Sequence, residues 1–227
     1  MTYKEAINRF QVEYRIACLN GDKREINLDL TEILLLLSTV YADVCNKERL
    51  IKEETTINLA VDTFSYSLPA YILSPALIRL NDDTKTLLDE VGLDEMPTGE
   101  RSAGLPSKWT VDLTNSSRVL LIDTLPKNAY HVTNYPSYRL NVNYWRKIFP
   151  YSGAAENSFS DVNFETASTY GGSFLNPTEW DNVIIYGALM KIIPSYAELY
   201  ANSYESASRA KSLLNYRPFG YKVGVDV

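Results

Sequence analysis

Few residues in this sequence are equipped for chemistry, and their spacing does not suit it. His131 is the only histidine, so any Ser-His-Asp or Cys-His arrangement would have to use it as its general base. It falls between Pro126 and Pro136, in a stretch that reads as turn. Asp82-Asp83 and Asp94-Glu95 are adjacent acidic pairs. Adjacent side chains alternate in direction along an extended chain and match no calcium-loop spacing, so these read as solvated turn residues. Gly171-Gly172 lacks the lysine and the further glycine of a phosphate loop. Cys18 and Cys45 have no CxxC spacing and no histidine nearby; the expectation is buried free thiols in a reducing cytoplasm. A two-carboxylate hydrolase stays open, because the members of such a pair can be far apart in the chain. Only the presence of carboxylates speaks for it. No catalytic residue, cofactor or metal site is assigned, and the chain is not expected to be an enzyme.

Composition narrows the partners. The 227 residues can bury a substantial core. A net charge of −6 disfavours tight nucleic-acid binding, which comes from neutralising phosphates with Lys and Arg. The start of the chain reads as a charged amphipathic helix, not a signal peptide. The longest strictly apolar run, Ile33 to Leu37, is far too short to span a bilayer, and no membrane partner is expected. The one oddity is 17 tyrosines. A sugar platform or a protein interface could use them. Their scatter over the whole chain favours core and subunit interface.

The elements that would position any site begin with a helix capped by Thr2, with Glu5 completing a capping box. Tyr3, Ile7, Phe10, Tyr14 and Ala17 fall on one stripe of it. A second helix is predicted from about Asn27 to Arg49. Leu30, Ile33, Leu34, Leu37, Val40, Tyr41 and Val44 face inward there, and Leu35 and Leu36 widen the stripe. The period changes to two at Thr55, predicting a β-hairpin from Ile57-Leu59-Val61 and Phe64-Tyr66-Leu68 around Asp62-Thr63. Leu77 to Leu80 is a strand, from which Thr86-Leu87-Leu88 returns. Lys108–Leu113 and Arg118–Asp123 form a further hairpin, and Leu140, Val142 and Tyr144 mark a last strand.

Asn176-Pro177-Thr178-Glu179 predicts a capped helix start. Val183 to Ile193 carries one charge, Lys191, so this helix must be buried on nearly every side. Gly187 offers a flat spot for a neighbouring helix. Pro194 breaks the helix, and a second follows with Tyr196, Leu199, Tyr200, Ser203, Ala207, Ala210 and Leu214 on one face. The fold class is α+β: a mainly α-helical bundle from the N- and C-terminal helices (residues 1–50 and 176–216) with a small antiparallel β domain (51–147) inserted in the chain. Residues 148–175 are a long aromatic-rich interaction loop, and 217–227 an extended, apolar docking tail.

This order of elements resembles a known family. It is carried by Tyr66-Ser67-Leu68-Pro69, by Leu105-Pro106-Ser107-Lys108-Trp109, and by the strand ending Asn143-Tyr144-Trp145-Arg146. The helix start Trp180-Asp181-Asn182-Val183-Ile184-Ile185-Tyr186-Gly187-Ala188-Leu189 completes the set. Together they look like the head-to-tail adaptor (tail accessory or gatekeeper-ring) proteins of short-tailed, crAss-like bacteriophages. The resemblance implies a structural virion protein of the neck or tail, assembled in the host cytoplasm. It implies a dodecameric homo-oligomeric ring bound to the portal protein, extending the DNA channel and docking downstream tail or nozzle proteins. DNA would pass without specific binding. Arg217, Pro218, Phe219 and Tyr221 in the tail, with Phe159, Phe164 and Tyr170 in the loop, are the candidate partner-docking residues. The alternative is a carbohydrate-binding or glycan-processing β domain with helical flanks, using exposed aromatics such as Trp109 and Trp145.

Overall fold

A computed structural model of the chain describes residues 1–21, 28–81, 85–113, 118–126, 139–150 and 176–215. They divide into two units, Met1–Leu50 with Ile148–Val227, and Ile51–Lys147. The fold class is α+β, with helices at both ends of the chain and a β region between them in sequence.

Helix α1 spans Tyr3–Leu19. Thr2 Oγ1 accepts from the Glu5 amide and the Thr2 amide donates to Glu5 Oε2, so the predicted capping box is made. The predicted stripe of Tyr3, Ile7, Phe10, Tyr14 and Ala17 is buried, and Ala6 joins it. Helix α2 spans Leu30–Glu48 and starts later than the sequence pattern implies. Asp29 and Glu32 form a second capping box that fixes its first turn. Ile33, Leu34, Leu37, Val40, Tyr41 and Val44 are buried as expected, but Leu35 points outward at 45% exposure. Its position, one residue past the buried stripe, carries it round to solvent.

Helix α3 (Asp181–Met190) is the centre of this unit. Val183, Ile184, Ile185, Ala188 and Leu189 are all fully buried, because α1, α2 and the last helix, α4 (Ala197–Asn215), surround it. The expected Asn176 cap is not made. Thr178–Trp180 forms a 3₁₀ turn, and α3 begins only at Asp181. The Asn176 amide nitrogen donates to the Pro177 carbonyl and to Asp181 Oδ1, and its own oxygen accepts nothing among the described residues. A 3₁₀ turn tightens the backbone, so the amides that an α-helical cap would collect are not presented to it. Pro194 opens a second 3₁₀ turn, as a chain-breaking proline should, before α4. On α4, Tyr196 just before it and Ala207 are buried, whereas Leu199 is 46% exposed.

The second unit holds two sheets. Strand β1 (Lys52–Asn58), β7 (Arg139–Arg146) and β3 (Ile72–Leu80) form an antiparallel sheet in the order β1-β7-β3. Strands β2 (Ser65–Ser67), β6 (Val119–Ile122), β5 (Lys108–Asp112) and β4 (Asp89–Glu90) form the other, in the order β2-β6-β5-β4, with β4 parallel to β5. The β5–β6 hairpin is the predicted one. Leu87 bridges back to Arg79, as the 77–88 pattern implied. The hairpin expected over Ile57–Leu68 does not exist, since β1 pairs with β7 and β2 with β6. The turn itself is real. Asp62 adopts the left-handed region at φ 56° and donates its amide to the Pro126 carbonyl. Tyr66 Oη donates to the Thr63 carbonyl at 2.8 Å and accepts the Ala60 amide at 3.1 Å. Thus anchored, the turn hands the chain from one sheet to the other instead of folding it back. Pro75 is accommodated in β3 because that strand is bulged there and, among the described residues, no strand pairs with its other side at that point. Leu59, Ile72, Ile78, Trp109, Leu120, Ile122, Leu140 and Val142 close one core between the two sheets.

Candidate functional site

The residues expected to dock partners, Phe159, Phe164, Tyr170, Arg217, Pro218, Phe219 and Tyr221, lie outside the described residues. So do His131, Gly171-Gly172 and Asp82-Asp83. What the described residues bring together is two carboxylate networks, a free sheet edge and an apolar helix stripe.

In the β unit, Glu53 stands opposite Tyr144 in the β1–β7 ladder. It accepts the Tyr144 hydroxyl at 2.8 Å and the Arg146 guanidinium at 2.6 Å. Burial alone would favour the neutral carboxyl. The bonds from Arg146 and Tyr144 outweigh that and hold the Glu53 pKa below the ordinary carboxylate value. Burial, helped by the Glu53 carboxylate, pushes the Tyr144 phenol well above its usual range. In the helical unit, Glu48 at the end of α2 accepts from Tyr204 and Lys211 of α4. The Lys211 ammonium also donates to the Glu48 main-chain carbonyl, at the helix end where a cation is favoured. Burial opposes ionisation of Glu48, and the bonds from Tyr204 and Lys211 again prevail, so its pKa is lowered. Lys47 sits 5.0 Å from the centre of the Tyr204 ring.

A carboxylate fixed in its ionised form by donors is a strut. It is not a proton donor tuned to neutral pH. Glu48 and Glu53 are thus expected to act on stability. A folded pKa below the unfolded value gives stability that is present above the unfolded pKa and lost as pH falls through the folded one. Glu53→Gln should cost about 0.5–1.5 kcal/mol at neutral pH, the net worth of ordinary hydrogen bonds. It should also flatten the acid-side decline in a urea-melt series below the ordinary carboxylate range. An unchanged acid-side slope would show that the pair contributes nothing. Sequence spacing could not find this network, whose members are distant in the chain. The available signal was a charge at Glu53 in the same phase as Thr55 and Ile57, the half-buried face of β1.

Aromatic placement bears on the sugar-binding alternative. Trp109 is 2% exposed and donates Nε1 to the Leu88 carbonyl, so it is no platform. Trp145 is half-buried, and the Lys52 ammonium lies 5.8 Å from its ring centre. Tyr3, Tyr14, Tyr41, Tyr144 and Tyr196 are core residues, so core accounts for part of the tyrosine surplus. Cys45 is buried and Cys18 half-buried, both as free thiols. Among the described residues no cluster of His, Cys, Asp or Glu is arranged to hold a metal, and no helix is long and apolar enough to cross a membrane.

The family model of the SU10 adaptor protein matches residues 1–217. The chain belongs to the SU10 adaptor protein family. No curated protein sequence matches it. Membership gives the coarse role: this SU10 adaptor is a structural component of a bacteriophage virion that works between head and tail and associates with other head or tail components. Its networks fit that role, since they brace helices and strands.

Proposed function

We propose that this SU10 adaptor is a ring-forming connector subunit of a short-tailed, crAss-like phage. In this reading a dodecameric ring sits below the portal protein, extends the DNA channel and receives the downstream tail or nozzle proteins. The family match over residues 1–217 supports its head-to-tail part. A net charge of −6 supports it, because a channel wall that weakly repels phosphates lets the duplex pass without gripping it. A closed ring needs two different faces on each subunit. One candidate is the stripe of Val12, Ile16 and Leu19 on α1, at 57%, 45% and 86% exposure. Residues 148–175 and 217–227 are the proposed docking segments, with Phe159, Phe164, Tyr170, Arg217, Pro218, Phe219 and Tyr221 as their anchors. Assembly takes place in the bacterial cytoplasm before incorporation into the neck.

Negative-stain imaging of the purified chain mixed with its portal protein tests the reading. Rings stacked on the portal are expected. Persistent monomers beside bare portals would overturn it.

A further inference from the structure

Strand β1 is an edge among the described residues: β7 covers one side, and no described strand covers the other. The Arg146 amide donates to the Ile51 carbonyl directly opposite it. In an antiparallel ladder, hydrogen-bonded pairs alternate with non-bonded ones. Residues 53, 55 and 57 therefore spend their main-chain groups on β7, while Lys52, Glu54, Thr56 and Asn58 turn theirs outward. Of the usual defences of an edge it carries only charges, Lys52, Glu53 and Glu54. It is seven residues long, has no proline, and pairs with β7 without a bulge. Its one lysine, Lys52, lies over Trp145 on its own sheet. The face carrying Glu53, Thr55 and Ile57 is half-buried, and Ile57 packs on the core. An added strand would thus gain main-chain bonds and a place to lay alternate apolar side chains.

We propose that β1 accepts a strand from a second copy of this chain, formed by Tyr221–Asp226. This rests on the homo-oligomer reading above. The segment reads Tyr-Lys-Val-Gly-Val-Asp, with Tyr221, Val223 and Val225 on one face and Lys222, Gly224 and Asp226 on the other. Antiparallel pairing of Thr56 with Lys222 sets Ile57 against Tyr221, Thr55 against Val223 and Glu53 against Val225. Aromatic–β-branched pairs of this kind stabilise ladders. On the exposed face, Lys52 meets Asp226, and Lys222 lies diagonal to Glu54. Shifting the tail by two residues, to set Lys222 against Glu54, would place Pro218 opposite Asn58, where an outward main-chain partner needs an N–H that proline lacks. Residues 218–227 lie beyond the family match, so the family assignment does not by itself account for this pairing.

The test uses the full chain with portal protein present, on the same sample that is imaged. Thr56→Cys with Lys222→Cys should, on mild oxidation, give a ladder of covalent dimers and higher multimers on a non-reducing gel, because directly paired residues lie within disulfide reach. Thr55→Cys with Lys222→Cys puts the two thiols on opposite faces and should give only the background of Lys222→Cys alone. Equal ladders from both pairs, a link within a single chain, or no ladder would each overturn the pairing. Rings by imaging without a ladder would sink the strand exchange and leave the ring standing; bare portals with monomers and no ladder would remove both.

Discussion

Trp180→Ala is expected to cost about 3–5 kcal/mol, the usual range for truncating a fully buried large aromatic. Trp180 is 2% exposed and meets the Tyr204 ring edge-on, with centroids 5.5 Å apart. Tyr204 in turn donates to Glu48 at the end of α2. The indole therefore fills space at the start of α3 and also backs the side chain through which α4 grips α2. Losing it leaves a void that rigid neighbours cannot refill and frees Tyr204 to leave Glu48. Domains of this kind hold about 5–15 kcal/mol in total, so a large part of the helical unit's stability would go. Urea melts followed by far-UV circular dichroism should show an earlier transition. Trp180→Phe should lose less, because a ring still meets Tyr204. Trp180→Ala combined with Tyr204→Phe should fall short of the summed losses, since the two act through one contact chain. A Trp180→Ala midpoint within error of the parent would refute this account.

The helical unit was largely legible in the sequence because its signals are local. Caps at Thr2, stripes at a helical period, and the all-round apolar run of α3 are each set by residues a turn apart. The misses have local causes as well. Asn176-Pro177-Thr178-Glu179 has the composition of an α-helical start, yet Trp180 is drawn into the core, and the chain reaches it through a 3₁₀ turn. Leu35 matches a wider stripe by hydrophobicity alone, whereas helix geometry turns it to solvent.

The β unit was legible in its strands and not in their partners. Alternation at Ile57-Leu59 and Phe64-Tyr66-Leu68 says that the residues are extended. It does not say which strand lies alongside. A turn at Asp62-Thr63 made the nearest partner look favoured, since short loops close at low entropy. The fold instead pairs β1 with β7, about eighty to ninety residues further on by the register. That long-range choice buries Leu140 and Val142 and sets Glu53 beside Arg146, gains no short window contains. The same limit applies to function. An adaptor has no catalytic constellation to spell out in spacing, so its role is read from element order and family, and from surfaces left unsatisfied in one copy.

Gly187→Leu is the second large effect, because α3 is hemmed in at that position. A β-carbon at 187 would stand 2.7 Å from Val40 Cγ1 and 3.0 Å from Tyr200 Cε2. The first is closer than carbon atoms tolerate, so something must move, and the second is tight enough that the ring must give slightly. Tyr200 is half-buried and its ring can swing. Val40 is 4% exposed on α2, and its branched side chain has few alternative rotamers. Glycine thus sets how closely α2 and α3 approach, and it outweighs the roughly 1 kcal/mol that alanine would gain in helix propensity. Leucine adds three more carbons with nowhere to go, for an overpacking cost of about 1–3 kcal/mol. Gly187→Ala should fall between leucine and the parent. The diagnostic is the pair Gly187→Ala with Val40→Ala. If Val40 is the obstacle, the second substitution should cost less in the Gly187→Ala background than alone, because it relieves a clash as well as opening a hole. Purely additive losses would place the strain elsewhere, and a Gly187→Leu protein melting like the parent would show that the two helices can part freely.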